Sequence, residues 1–547
     1  MRTIKVLFSK YKVVFLVVLL SMVAVTDLFH YGIPPTHDAE YHIMRFSQFY
    51  KVLSDGILYP RWAPDFNNGF GIPLFTYVYP FPNYAAAILH FLGFGFIDAF
   101  KASSIIAEVL GAILFYLWSK KFWGEMGGLI SSVFFSFAPY HLLDIYVRGS
   151  IGEVWALALF PGFLWTYSEF LEKKRPQYFV LSCIFLGLTI LAHNILALMF
   201  FGFFLFYSSF LIFYSKKRNE LILGTILIVA LGFGLSAPFW LPALLETSYT
   251  QGLQIFDVTQ NFTPIYKFFV PTWGFGLSPS DPLNPMSVQI GYANLIVIFV
   301  SVIIALTKRK GIINFFLASF FIVFFLMTGY SSWFWQHIPL MNYFQFPWRL
   351  LSLEIIFCSF LAGSLFSIRF FKQRSKQIIL AIFMIVASIG LSLHYIRAPF
   401  YFPRTDAHYL SRPNFTDGTN SPGNVFNTKW LSAIPSKAKN KIEIKKGRGS
   451  VEMGMVRTSS YAFDVILKEE SSLLINTAYF PGFKAIVDGH ETRIVNANGK
   501  IMLNIPKGKH SIYVYLDSTN LQKISYVYFL LSVLLIILLS RKEKFLK

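Results

Sequence analysis

The residues best placed to do chemistry lie in segment 34–45, which reads P-P-T-H-D-A-E-Y-H-I-M-R. Two acids, two imidazoles and a guanidinium crowd together in a chain that is only 14% charged. Ionisable groups are costly in so apolar a protein and tend to mark function. Asp38 and Glu40 are candidates for a general base that takes a proton from an attacking hydroxyl, for ligands of a divalent metal, or for both. His37 and His42 do not have the H-E-x-x-H spacing of a zinc protease. A carboxylate-dominated set suits Mg²⁺ or Mn²⁺ better than zinc. A plainer reading covers only one of these acids: a carboxylate in the first turn of a helix complements the helix dipole.

Four further constellations join them. Segment 59–73, Y-P-R-W-A-P-D-F-N-N-G-F-G-I-P, carries Arg61, Asn67 and Asn68 among aromatics. It suits either a sugar-contacting loop or an aromatic-rich loop packed at the headgroup level. Segment 146–153 places Arg148 near Glu153, as an ion pair or as a phosphate-binding guanidinium with an orienting acid. His193-Asn194 falls at a turn between two apolar runs. Arg349, in Q-F-P-W-R-L, enters the next apolar run as a snorkelling cation or as a phosphate clamp. His37, His42, Arg61, Asn67, Asn68, Arg148, Glu153, His193 and Arg349 are thus candidates for substrate contact.

The elements that must position these groups cross a membrane. A mean hydropathy of +0.53 with 19% aromatic residues excludes an ordinary soluble protein. The net charge of +20 does not point to nucleic acid, because Lys and Arg sit mostly in short clusters between apolar runs. Such clusters occur at 2–12, 120–121, 173–175, 216–218, 308–310, 369–376 and 541–547. Placing them all on the cytoplasmic face requires two crossings between consecutive clusters. The runs 13–31, 102–119, 124–140, 152–171, 177–194, 197–214, 221–244, 291–307, 312–329, 350–368, 377–396 and 524–540 supply about twelve spans. The apolar run 81–96 would invert everything downstream and is read as a juxtamembrane or re-entrant helix on the outer side. The N-terminal run reads as an uncleaved first span rather than a signal peptide. Cys183 and Cys358 fall inside apolar runs and read as core residues, not a disulfide. Under this topology Asp38, Glu40, Arg61, Arg148, Glu153, His193 and Arg349 share the extracytoplasmic side.

Segment 397–523 differs in character. A polar linker at 404–427 leads into period-two runs at 472–479, 500–505 and 511–516. Asp488-Gly489, Asn498-Gly499 and Pro506-Lys507-Gly508 separate them as turns. The fold expected is therefore a polytopic α-helical membrane domain over 1–396 with a large first outer loop at 32–101. A linker and a small antiparallel, sandwich-like β domain follow over 397–523. An anchor helix and basic tail close the chain at 524–547.

Together these motifs resemble the GT-C superfamily of polytopic glycosyltransferases. Within it they resemble the bacterial YfhO-like and "6-pyruvoyl-tetrahydropterin synthase-related" membrane protein group, a label that implies no pterin chemistry. The resembling residues are T-H-D-A-E-Y-H from Thr36, Y-P-R-W from Tyr59 with N-N-G-F-G from Asn67, and Y-V-R-G from Tyr146 with Glu153. They continue through His193-Asn194, F-P-W-R from Phe346, Y-F-P-G-F-K-A-I-V-D-G from Tyr479, and G-K-H from Gly508. The resemblance implies an enzyme of the plasma membrane with its site on the extracytoplasmic face. It would move a sugar from a polyprenyl-phosphate carrier to a glycan, lipid or protein acceptor, with inversion and in many relatives a divalent metal. The acid of the first outer loop maps onto Asp38. This sequence has D-A-E rather than paired adjacent acids, which leaves open which carboxylate is the base. Two other classes compete. A lipid-linked glycan or polymer transporter would want ionisable groups at mid-membrane, where only Glu108 and Glu354 qualify. A non-catalytic envelope-assembly scaffold would work through its β domain.

Overall fold

The computed structural model describes residues 2–215, 217–252, 258–276, 279–281, 283–307, 311–411 and 425–541. Lys216, the basic cluster 308–310, part of the linker at 412–424 and the tail 542–547 lie outside the described residues, as do the side chains of 2–10.

Each of the expected spans is helical. The principal helices are α1 (Arg2–Ala24), α2 (Ala39–Ser54), α3 (Phe81–Phe91), α4 (Phe96–Ser136), α5 (Pro139–Leu143), α6 (Ile151–Lys173) and α7 (Pro176–Ala192). They continue with α8 (Asn194–Phe213), α9 (Arg218–Leu245), α10 (Tyr292–Thr307), α11 (Gly311–Leu326), α12 (Leu351–Ser364), α13 (Arg374–Ser392) and α14 (Asn520–Ser540). Among the described residues six helical stretches are long and apolar enough to cross a membrane, and α11 with the segment after it, bent by 86°, adds a seventh only where the two count as one span. The helical part of α1 from Tyr11, α7 and α10 are shorter apolar helices. Two expected spans share the 41-residue α4, which breaks at Gly124, where φ is 76° and ψ −176°. That break follows Lys120-Lys121, where the charge pattern demands a turn. Helix α3 has 11 residues, about 16 Å of rise, too short for a hydrocarbon core of about 30 Å. It packs instead against α2 and α4.

The basic clusters of three loops meet at one end of the bundle. Lys121 approaches Glu169 and Glu172, Lys173 lies 2.5 Å from Glu169, and Lys174 pairs with Glu220. The acid- and imidazole-bearing segments gather elsewhere.

Nine strands form the β domain before α14. They are β1 (Ile442–Lys446), β2 (Gly449–Val456), β3 (Ser460–Leu467), β4 (Ser471–Ala478), β5 (Phe483–Val487), β6 (His490–Thr492), β7 (Val495–Ala497), β8 (Lys500–Ile505) and β9 (Gly508–Leu516). They build antiparallel sheets of order β1-β4-β8-β7 and β2-β3-β9-β5-β6. Asp488-Gly489 and Asn498-Gly499 make the two-residue hairpins expected, with positive φ at both positions of each.

The core of this domain is not built from the strands alone. Trp62 and Phe70 of the first outer loop are buried in it, with Trp62 edge-on to Phe483 at 5.2 Å. The backbone N–H of Ala478 donates to Phe70 O (2.8 Å), and the Lys441 ammonium donates to Gly69 O (3.0 Å). The aromatic loop at 59–73 is therefore a packed joint with the β domain, a partner that neither expected reading named.

Two outcomes are expected. Trp62→Ala should destabilise the β domain by about 3–5 kcal/mol, read as a lowered melting temperature or earlier proteolysis of segment 442–516. A cysteine at exposed Arg448 should react with an impermeant maleimide on intact cells, whereas one at exposed Arg175 should react only after permeabilisation; the reverse would overturn the proposed sidedness.

Candidate active site

The site grows from a short stretch between α5 and α6. Residues Asp144–Arg148 form a single π-helical turn, and Gly149 then turns the chain with φ +61°. Such turns are wider than α-helix and recur at functional sites. This one directs Asp144 and Arg148 inward, while α6 begins immediately with Glu153. Arg148 Nη1 and Nη2 each donate to Glu153 (2.6 Å), a two-pronged pair. Nη1 also donates to Asp144 Oδ1 (2.5 Å) and to the Tyr140 hydroxyl (3.1 Å). The Trp348 ring lies 5.1 Å from the guanidinium. Arg349 approaches from α12's entry turn: its Nε is 3.1 Å from Glu153 Oε1, but that N–H is not aimed at the oxygen. Its Nη1 donates to Phe344 O and to Gln345 Oε1. The F-P-W-R motif thus sends Trp348 to one arginine and Arg349 to one acid of the same cluster. His193 caps α8, its Nδ1 accepting from Leu196 N–H (3.1 Å), so the neutral ring carries its proton on Nε2, 3.9 Å from Glu153 Oε1.

The first outer loop docks on this turn through its backbone. His37 N–H donates to Val147 O (3.0 Å) and Asp38 N–H to Arg148 O (2.9 Å). A Cβ on Gly149 would stand 2.2 Å from Thr36 Oγ1, so glycine is needed both for its φ and for this approach. Thr36 Oγ1 accepts the Ala39 N–H that opens α2, and the Asp38 side chain caps nothing. Asp38 stands at the N-cap position and Glu40 is the acid in the first turn of α2, but the capping bond itself comes from threonine, which leaves the Asp38 carboxylate without a hydrogen bond among the described residues. Burial raises the Asp38 pKa above the ordinary carboxylate value, and Glu153 adds to this; Arg148, Arg45 and Arg349 oppose it. Burial, with Arg148 nearby, holds His37 down to about 4, so its imidazole is neutral at working pH.

Of the expected site residues, the structure gathers Asp38, His37, Arg148, Glu153, His193 and Arg349 in one region, with His42 buried beside it against Tyr79 and Phe100. Glu40 goes elsewhere. Residues two apart on a helix do not face each other, and Glu40 pairs with Arg404 and accepts from the Tyr409 hydroxyl (2.9 Å). It fastens the segment after α13 to the first outer loop, as does the bridge between Ile33 and Phe402. Arg61 donates to Asp517 O and Gln522, Asn67 to Asn427, and Asn68 to Pro435 O. These three serve the β-domain joint instead of the charge cluster. Glu108 faces His141 at 3.3 Å inside the bundle, and Glu354 is buried without a hydrogen bond among the described residues.

Two neighbours of Asp38 escaped sequence reasoning. Arg45 follows at seven residues, two helical turns along α2, and acts on Asp38 electrostatically. That periodicity was a usable signal. Tyr79 carried none: it reaches the cluster only through tertiary folding.

The donor set does not fit the expected Mg²⁺ or Mn²⁺. Among the described residues no three acid, His or Cys side chains converge as a metal group. Glu40 is turned away, and Arg148 occupies both oxygens of Glu153.

The family described as 6-pyruvoyl-tetrahydropterin synthase related domain, a membrane protein, matches residues 75–397, the stretch that carries Arg148, Glu153, His193 and Arg349. The chain belongs to this family. An uncharacterized protein of Lactococcus lactis subsp. cremoris (strain MG1363) is 23% identical over 251 residues, which are 43% of this family member and 40% of that protein. Among solved structures, the Archaeoglobus fulgidus oligosaccharyltransferase in its apo form is similar with a TM-score of 0.46 at 13% identity, covering 78% of this chain and 57% of that one. The same enzyme in complex with Zn and sulfate gives a TM-score of 0.43 at 15% identity, over 73% and 53%. A mycobacterial arabinofuranosyltransferase gives a TM-score of 0.45 at 14% identity, over 71% and 27%. The family member thus spans well under two thirds of each of these proteins.

Gly149→Ala should break the docking of Thr36 on the turn. The expected result is a loss of about 1–3 kcal/mol in thermal stability together with loss of activity, whereas alanine at Gly202, which has open space around its Cβ position, should be close to neutral.

Proposed function

We propose that this protein is a membrane glycosyltransferase that moves a sugar from a polyprenyl-phosphate carrier to a hydroxyl acceptor on the extracytoplasmic face. The observation that carries the reading is the Asp38 carboxylate, freed from capping by Thr36 and set among the charges of Arg45, Arg148 and Arg349. A raised pKa makes Asp38 a stronger base than an ordinary aspartate. In the step proposed, the acceptor oxygen attacks the anomeric carbon while its proton passes to Asp38. The bond from that carbon to the phosphate oxygen breaks, and its electron pair stays on the phosphate. Arg349, with guanidinium N–H groups not committed to Glu153, faces the leaving phosphate. Arg148 is already engaged by Glu153 and Asp144, so it positions the site more than it binds substrate. Neutral His37 is suited to a sugar hydroxyl. Positioning and charge stabilisation supply the rest, because a lipid phosphate is a good leaving group. The acceptor is a cell-surface glycan, a lipid or a protein, and the β domain, fastened to the loop that carries Asp38, guides it.

The test is sugar transfer by purified protein in lipid, offered a panel of polyprenyl-phosphate sugars. Asp38→Asn at matched folded yield should lower transfer by about 10²–10⁴-fold. Transfer unchanged in that variant, or no transfer and no donor hydrolysis by the wild type across the panel, would sink the proposal. The pH dependence follows from the sign of the shift. Asp38 works as the carboxylate, so kcat/KM should fall as pH drops through its raised pKa, with a midpoint above the ordinary aspartate value of about 3.9. Glu40→Gln, acting on a distant fastening, should leave that midpoint in place.

A further inference from the structure

Tyr79 lies in the connection leading into α3, and its phenol is central to the charge cluster. A Cβ on Gly152 would stand 2.5 Å from two carbons of the Tyr79 ring and 2.8 Å from its hydroxyl. The ring therefore rests directly on the turn that launches Glu153, and glycine there keeps the space open. The Tyr79 ring centre is 4.9 Å from that of His193 and 6.4 Å from that of His42. Arg45, Asp38, Glu153 and Arg349 all act on the phenol electrostatically.

Four nearby tyrosines use their hydroxyls. Tyr77 donates to Glu246 O, Tyr84 to Leu58 O, Tyr146 to Ala24 O, and Tyr140 accepts from Arg148. A tyrosine hydroxyl at a packed site normally finds such a partner. The Tyr79 hydroxyl has none among the described residues, and the side chain remains partly accessible. A donor held in place by packing and left without an acceptor, among two guanidiniums and two carboxylates of which Glu153 is already held by Arg148, is placed to meet an anion drawn in by the arginines.

We infer that Tyr79 is a further substrate-binding residue that donates its phenolic hydrogen to a phosphate oxygen of the lipid-linked donor, beside Arg45 and Arg349. This rests on the glycosyltransferase reading of the same site. Phosphate is the reactant group that carries net negative charge, and charge on it grows as the sugar departs. Burial holds the phenol above its usual pKa, so it stays protonated and transfers no proton in the step. Its O–H···O bond strengthens as the electron pair settles on the phosphate.

The experiment measures binding of undecaprenyl phosphate and of undecaprenol, the same tail without the phosphate, to the full-length protein in detergent. Wild type should prefer the phosphate lipid. Tyr79→Phe keeps the ring and should weaken the phosphate lipid about tenfold, about 1.4 kcal/mol, with undecaprenol unchanged. Gly152→Ala, which pushes the phenol aside without altering it, should do the same. Unchanged phosphate binding in Tyr79→Phe, or equal losses on both lipids, would overturn the role of Tyr79 alone. A wild type with no preference between the lipids would instead overturn the polyprenyl-phosphate reading, and this inference with it.

Discussion

The structure of the site depends on one buried pair, Arg148 with Glu153. Both side chains are nearly or wholly removed from solvent, and Asp144 is fully buried beside them. Taking such charges out of water costs several kcal/mol per ion, and only close, many-pronged contact offsets it. Arg148 makes that contact through three donated bonds to two carboxylates and a fourth to Tyr140. The arrangement tolerates little movement. It fixes the π-helical turn, and the turn's carbonyls at Val147 and Arg148 in turn receive the backbone of His37 and Asp38. The position of the free carboxylate is thus inherited from an ion pair it does not join.

The charges around that carboxylate are close to balanced. Asp38, Asp144 and Glu153 stand against Arg45, Arg148 and Arg349, but the two groups are not equivalent. Asp144 and Glu153 are spent on Arg148, through three donated bonds that it makes to their carboxylates.

Much of this was legible in the chain. Basic clusters separated the helices correctly, and the break in α4 falls just after Lys120-Lys121 because a glycine with positive φ sits there. The D-G and N-G pairs made hairpins because both need left-handed backbone at two positions. Asp38, Arg148, Glu153, His193 and Arg349 came together because isolated charges in an apolar chain are retained where they meet partners. Glu40 was misplaced by reading proximity in sequence as proximity in space, which helical geometry forbids at two residues. Arg61, Asn67 and Asn68 were unreadable for a different reason. Their partners lie more than 350 positions away, and no local pattern encodes so distant a contact. Tyr79 meets the same difficulty at shorter range, since His42 and His193 on either side of it reach it only through the tertiary fold.

Trp62 and Phe70 have a consequence for how the protein is made. They leave the ribosome early, with the first outer loop, while the strands that enclose them are synthesised some four hundred residues later. Until β9 is complete, two large aromatic side chains lack the β-domain core that buries them. The first loop can reach its final position only after nearly every helix has been inserted. Assembly of the 59–73 joint is therefore a late event, whereas the docking of His37 and Asp38 on the carbonyls of Val147 and Arg148 needs only chain made long before the strands.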